Sequence, residues 1–208
     1  MSHFPDRYST WALIIACLLL FAVAGLIGGP DNPSDLATIH TLGAQSVTHF
    51  DLVRQAIAVT HFGGAPILLA ILCLALLLLA WARQWHTAIS LSAIVLGGRL
   101  AVELLKLLVG RQRPHFGPYP VEVASLSFPS GHAANTMITF LALAMIAVPA
   151  RYRTVAIVVA IAASLLIGMT RPLLGVHWPS DVIGGWAFGV AWVTLGVELS
   201  RRRHRATE

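Results

Sequence analysis

Apolar runs long enough to cross a lipid bilayer recur along most of this chain. A helix needs about 20 apolar residues to cross roughly 30 Å of hydrocarbon. Runs such as Ile67–Ala80 lack the alternation of polar and apolar residues that membrane strands require. The six predicted helical spans are Trp11–Gly28, Pro66–Trp81, Thr87–Val109, Ala133–Val148, Thr154–Met169 and Asp181–Ser200.

The composition supports the same fold class. Hydrophobic residues make up 57% of the 208 residues and charged residues only 11%, whereas an ordinary soluble domain carries about 25% charged residues. A single core cannot bury that much apolar surface, because the outside of a soluble domain needs polar cover. We therefore predict an all-α, polytopic membrane protein with six transmembrane helices, forming one membrane-embedded domain over residues 1–208.

The distribution of the arginines predicts the orientation. If the N-terminus lies inside, eight arginines fall on inner segments and four on outer segments, as the positive-inside rule requires. Both termini are then cytoplasmic, and the basic tail over residues 201–208 anchors the chain at anionic headgroups. The positive charges form no patch of the kind that binds nucleic acid, so no such partner is expected. The four outer arginines are Arg54, Arg111, Arg113 and Arg171.

The N-terminal part of the chain leaves one alternative open. Arg7, the apolar run after it and Ala22-Val23-Ala24 resemble a cleavable signal peptide. The apolar run continues to Gly28, which favours a retained helix. The connection Gly29–Thr60 could hold a short interfacial helix, and we predict no chemical role for its residues.

Three polar clusters interrupt the apolar pattern, each at one end of a predicted span. They are Lys106–Pro114 at the end of the third span, Pro129–His132 at the start of the fourth and Arg171–Asp181 at the start of the sixth. With six alternating spans, the junction between spans three and four lies on the same side of the membrane as the junction between spans five and six. This holds whichever way the chain is inserted. The arginine count makes that side the outer one.

The clusters contain the groups that bind phosphate. Guanidinium groups match phosphate oxygens in bidentate fashion, and Lys106, Arg113 and Arg171 supply three cations. Ser130 is a good N-cap, and Gly131 allows a ligand to approach the backbone closely. Because Pro179 suits a first helical turn, we expect two helix N-termini to direct free N–H groups at one anion.

Two histidines add reactivity to these clusters. A histidine can attack phosphorus or exchange a proton near neutral pH. The four-residue spacing of His177 and Asp181 allows the carboxylate to hold one ring nitrogen and leave the other free to attack. His132 then remains as the acid. The carboxylates do not cluster as Mg²⁺ ligands, so we expect neither a metal nor another cofactor.

The spacing of these residues resembles the three-part signature of the type 2 phosphatidic acid phosphatase superfamily. The resemblance covers about residues 60–195. Thr170 stands where that family usually has serine before the arginine of the third motif, and its hydroxyl preserves the chemistry. The matching motifs are Lys106-x6-Arg113-Pro114, Pro129-Ser130-Gly131-His132 and Arg171-x5-His177-x3-Asp181.

This resemblance implies a six-helix membrane fold and metal-independent hydrolysis of phosphate esters. His177 would be the nucleophile that forms a phosphohistidine, and Asp181 would orient it. His132 would protonate the leaving group and then activate water. The residues implied to hold the phosphate oxygens are Lys106, Arg113, Ser130, Gly131 and Arg171.

The sequence thus predicts a lipid phosphatase at the outer face of a bacterial-type inner membrane. Undecaprenyl diphosphate, phosphatidylglycerol phosphate, phosphatidic acid and a lipid A phosphate all suit it as substrates. A lipid phosphotransferase with the same site and a non-catalytic membrane carrier or scaffold are the alternatives. Arg99 and Glu103 are expected to pair as structural support for the third span, with a substrate-headgroup role as the alternative. The oligomeric state is not predicted.

Overall fold

The computed structural model describes residues 7–115, 120–123 and 125–206. Within these residues the chain forms eight α-helices and no strand, so the all-α fold class is confirmed for this part of the chain. A π-helical turn, Leu143–Ala147, continues the sixth helix. The helices are α1 Arg7–Ile27, α2 Pro33–Thr48, α3 Phe50–His61, α4 Ala65–Trp81, α5 Trp85–Val109, α6 Gly131–Ala142, α7 Ala150–Leu173 and α8 Pro179–Ala206.

Each of the six predicted spans coincides with a helix, but the helices differ in length. Within the described residues, five helical segments are long and apolar enough to cross a membrane, and the shorter apolar helix Gly131–Ala147 corresponds to the fourth predicted span. The connection Gly29–Thr60 holds two helices, α2 and α3, and so contains more structure than the short helix expected there. Together with α4, α3 forms the apolar stretch Phe50–Trp81.

Local sequence explains where the helices end. Gly64 is the N-cap of α4, and Pro66 lies in its first turn, where its missing N–H leaves no intrahelical bond unmade. Helix α5 ends at Gly110, whose φ of +68° is the left-handed conformation that glycine adopts without strain. Its N–H donates to the Lys106 carbonyl at 2.9 Å. This cap ends α5 within the first polar cluster, Lys106–Pro114.

Helix α8 lies at the centre of the bundle, in contact with α1, α5, α6 and α7. Glycines permit its close contact with α6, because a Cβ at Gly185 would lie 2.9 Å from the Ser130 carbonyl oxygen. The outer faces of the helices are apolar, with Leu77, Leu108 and Val158 among their exposed side chains. Such surfaces suit lipid contact, and the chain is a multi-pass membrane protein.

Candidate active site

The three polar clusters meet at one end of the bundle, as the alternation of spans predicts. The Ser130 N–H donates to the Asp181 carbonyl at 3.0 Å, which joins the second cluster to the third. Arg113 Nη1 lies 3.0 Å from His177 Nε2, which joins the first cluster to the third. Gly131 lies beside Lys106, since a Cβ at Gly131 would be 3.2 Å from the ammonium nitrogen.

The Asp181 carboxylate is fully buried and accepts four hydrogen bonds. Oδ1 accepts from Arg111 Nη1 at 2.9 Å. Oδ2 accepts from the Trp178 N–H at 2.9 Å and from the Ser127 hydroxyl. The fourth contact joins Oδ2 to His177 Nδ1 at 3.3 Å. A buried carboxylate with this many donors stays ionised and fixed in orientation.

These contacts fix the tautomer of His177. A guanidinium only donates hydrogen bonds, so His177 Nε2 accepts from Arg113 and carries the lone pair. Nδ1 then carries the proton and donates to Asp181. The ring is buried, and its Nε2 faces the guanidinium of Arg113, a group that can also bind phosphate.

The same surroundings keep the ring uncharged. Burial is the main cause that lowers the pKa of His177 to about 3; the positive charge of Arg113 acts in the same direction, and the hydrogen bond to Asp181 opposes both effects. At neutral pH the imidazole is therefore unprotonated at Nε2, as a nucleophile requires.

This neutral state predicts a specific pH behaviour. The folded-state pKa near 3 lies below the ordinary value of about 6.5, so between these values the unfolded chain binds a proton that the folded chain does not. The burial of His177 therefore destabilises the fold progressively as pH falls from about 6.5 toward 3. We expect ¹⁵N NMR of histidine-labelled, ligand-free protein to show an unprotonated His177 Nε2 from about pH 5 to 8. A midpoint between about pH 6 and 7, in resonances that disappear in His177→Ala, would contradict this.

Two buried polar atoms in the site have no hydrogen-bond partner in the described part of the chain. They are the Ser130 hydroxyl oxygen and Arg171 Nε. Ser130 is the N-cap of α6, but its side chain makes no capping bond, and Arg171 donates only through Nη1, to Thr60 Oγ1 at 2.7 Å. Since leaving a buried polar atom unpaired is costly, both atoms are suited to bind oxygens of an anionic ligand.

Glu103 pairs with Lys106 and not, as had been expected, with Arg99. The Lys106 ammonium is buried, donates to Ser125 Oγ at 2.8 Å and lies 3.5 Å from Glu103. The expected pair between Arg99 and Glu103 is not formed, because Glu103 turns toward the buried ammonium three residues further along α5. Arg99 forms no ion pair with any described residue.

His132 lies against the break between α3 and α4. A Cβ at Gly63 would be 2.8 Å from His132 Cδ2 and 2.6 Å from Ile167 Cγ2, so only glycine fits there. The charges of Lys106, Arg113 and Arg171 all act on the His132 ring, which places it among the cations. The ring makes no hydrogen bond with the described residues and so can reach a ligand.

The expectation of two free helix N-termini is wrong for α8. The Ser180 N–H in its first turn donates to Asp35 Oδ1 at 3.0 Å, so an acidic side chain already caps that helix. The N-terminus of α6 remains directed at the site, since Ser130 contacts Asp181 and Gly131 lies beside Lys106. Asp35 lies in the connection that was expected to have no chemical role.

Sequence reasoning missed four residues around the site. Arg111 was assigned to membrane orientation, although its position two residues before Arg113 in the first cluster was a signal. Ser127 directly precedes the Phe-Pro-Ser-Gly-His run, which was a weaker signal. The other two, Asp35 and Thr60, lie far away in sequence, and nothing near them points to the site.

Fold and site together define a multi-pass helical membrane protein with one lysine and three arginines around a buried His–Asp pair. The chain belongs to the PAP2 superfamily, which it matches over residues 87–205. A crystal structure of a transmembrane PAP2-type phosphatidylglycerolphosphate phosphatase from Bacillus subtilis has the same fold. Its TM-score is 0.78 at 23% identity, with 94% of this chain and 98% of that chain covered.

The related sequences carry the names of lipid phosphatases. Lipid A 1-phosphatase of Rhizobium johnstonii is 41% identical over 121 residues, which cover 54% of this chain and 46% of that protein. Phosphatidylglycerophosphatase B of Bacillus subtilis is 30% identical over 172 residues, which cover 74% of this chain and 83% of that protein. The chain therefore spans about half the length of the lipid A phosphatase.

Proposed function

We propose that this protein hydrolyses the phosphate or diphosphate group of a membrane lipid through a phosphohistidine at His177. The observation that carries the proposal is the neutral, buried His177, whose lone pair lies beside Arg113. Ser130 and Arg171 add the two unpaired polar atoms. The names of the relatives support the class of reaction.

The first half of the reaction transfers the phosphoryl group to the enzyme. Arg113 turns from His177 Nε2 to a phosphate oxygen, and the freed lone pair forms the N–P bond. The bond from phosphorus to the lipid oxygen breaks as His132, in its protonated form, gives that oxygen a proton. Asp181 stabilises the positive charge that develops on the His177 ring, while Lys106, Ser130, Gly131 and Arg171 hold the equatorial oxygens.

The second half restores the enzyme. His132 is now a base, takes a proton from water and thereby regenerates its acid form. The resulting hydroxide attacks phosphorus on the side opposite Nε2, and the N–P bond breaks. Inorganic phosphate leaves, and the electron pair returns to His177. A hydroxyl of another lipid in place of water would make the enzyme a phosphotransferase.

The surroundings of the site suit a lipid rather than a soluble phosphate ester. The exposed faces of the helices that carry the site are apolar, including Leu107 and Leu108 one turn beyond Glu103. A lipid tail can therefore stay in the bilayer while its headgroup enters the site. The arginine distribution supports a location in a bacterial-type inner membrane, with both termini in the cytoplasm and the site at the outer face.

The experiment is a phosphate-release screen of purified protein in detergent. The substrates are undecaprenyl diphosphate, phosphatidylglycerol phosphate, phosphatidic acid and lipid A phosphates, with His177→Ala as background. We expect one of them to release inorganic phosphate in equal amount to the dephosphorylated lipid. Less phosphate than dephosphorylated lipid, with a phosphorylated acceptor, would identify a phosphotransferase. No dephosphorylation of any of these lipids would contradict the proposal.

Chelation gives a further prediction, because the positive charges assigned to phosphate binding are side chains. Among the described residues no three His, Cys, Asp or Glu side chains group as metal ligands. We expect the rate in excess EDTA to stay within about twofold of the untreated rate, since no step needs a metal-bound water. Complete loss in EDTA that added Mg²⁺ restores would contradict the mechanism.

A further inference from the structure

Arg111 joins the catalytic carboxylate to the end of α1. Its Nη1 donates to Asp181 Oδ1 at 2.9 Å, and its Nη2 donates to the carbonyls of Ala24 at 2.9 Å and Gly25 at 2.7 Å. The guanidinium is buried and lies 4.5 Å from the centre of the Phe128 ring. One rigid planar group thus fixes the distance between α1 and Asp181.

Asp35 holds the residue next to Asp181 from the other side. Asp35 Oδ1 accepts from the Ser180 N–H at 3.0 Å, and Oδ2 accepts from the Ser180 hydroxyl. Oδ2 also accepts from the Gly29 N–H at 2.7 Å. Because Ser180 lies in the first turn of α8, these bonds set the rotation of that turn and therefore the direction of the Asp181 side chain.

The backbone that joins α1 to α2 packs closely against the side chains of Arg111 and Ser180. Gly29 has a φ of +108°, and a Cβ there would lie 3.1 Å from Arg111 Nε. A Cβ at Gly28 would overlap the Ser180 hydroxyl. Both glycines are needed for this approach, which shows that the turn is built around Arg111 and Ser180.

We propose that Arg111 and Asp35 are positioning residues for Asp181, so that residues 24–35, which precede the part of the chain matched by the family, set the geometry of the nucleophile. Arg111 balances the charge of the buried carboxylate and holds Oδ1, which leaves Oδ2 directed at His177 Nδ1. Asp35 fixes the helical turn from which Asp181 projects. Neither residue needs to touch the substrate. The proposal rests on the proposed function, because it assigns Asp181 to the orientation of His177.

The test compares Arg111→Lys and Asp35→Asn with matched controls in purified protein. Arg54→Lys and Asp31→Asn are suitable controls, because both side chains are exposed and lie outside the site. We expect kcat to fall about 10- to 100-fold in the two test variants while KM stays within about twofold, because orientation of the nucleophile is lost and not phosphate binding. Thermal unfolding shows whether each variant is folded, and Ser180→Ala replaces Asp35→Asn if that variant is not.

A second readout separates positioning from general stability. In an Asp181→Asn background, assayed at high enzyme concentration, Arg111→Lys should lower kcat by less than about threefold, because the group through which it acts is already lost. If Arg111→Lys lowers kcat in the Asp181→Asn background by the same factor as in wild type, the proposal is overturned. It is also overturned if Arg111→Lys and Asp35→Asn have the same kcat as their control variants. If Asp181→Asn and His177→Ala themselves keep the wild-type kcat, the proposed function is wrong, and this outcome is distinct from a failure of the positioning proposal alone.

Discussion

Replacement of His177 by alanine is expected to lower lipid dephosphorylation by at least about 10⁴-fold, since the proposed nucleophile is lost and the first chemical step with it. The other groups of the site stay in place. Arg113, Arg171 and Ser130 can still bind the phosphate, so we expect substrate affinity to change little. Phosphate release at saturating lipid measures the loss, and equilibrium binding of the lipid measures the affinity.

His86→Ala is the matched control for this variant. His86 is exposed at the start of α5, at the opposite end of that helix from Lys106. Its replacement should leave the rate within about twofold, as for a surface residue away from the site. More than a tenth of the wild-type rate in His177→Ala would exclude His177 as the nucleophile.

The second large effect is expected for Asp181→Asn, with a loss in kcat of about 10³- to 10⁴-fold. Asparagine keeps the shape of the side chain but removes the charge that we propose stabilises the His177 ring when the N–P bond forms. Its amide can also donate to Nδ1, which would select the wrong tautomer. The loss should appear in kcat and hardly in KM.

Loss of the Asp181 charge also leaves Arg111 buried beside a neutral group. An unpaired buried charge costs about 3–5 kcal/mol, so we expect a lower melting temperature than in wild type. Asp31→Asn is the control, because it removes an exposed carboxylate with no contact to the site. A folded Asp181→Asn protein with wild-type kcat would contradict the role of Asp181.

The convergence of the site could be predicted because it depends on features that are local in sequence. Apolar runs define the spans, and their alternation alone brings Arg113, His132 and His177 to one end of the bundle. Proline and glycine residues at the helix ends allowed the starts of α4 and α8 to be predicted. The family resemblance, now confirmed, added roles that spacing alone did not supply.

The missed features depend on contacts between distant parts of the chain. Asp35 caps α8 across 145 residues, and Thr60 accepts from Arg171 across 111 residues. No periodicity or spacing in one sequence encodes such a contact. Arg111 was counted only as an indicator of membrane orientation. In the structure its positive charge pairs with the buried carboxylate of Asp181. Arg99 remains without an assigned role, because Glu103 turns to Lys106 instead.

The most direct measurement is the capture of the phosphorylated enzyme. Protein mixed rapidly with lipid labelled in its phosphate, then quenched in alkali, should carry label on the peptide that contains His177. The label should be lost in acid, as phosphohistidine is, and absent from His177→Ala. With a phosphate ester whose leaving group needs no protonation, we expect His132→Ala to carry more label than the wild-type protein, because this variant cannot activate the water that breaks the N–P bond. Turnover without any labelled enzyme, or label on Ser130, would contradict the phosphohistidine mechanism.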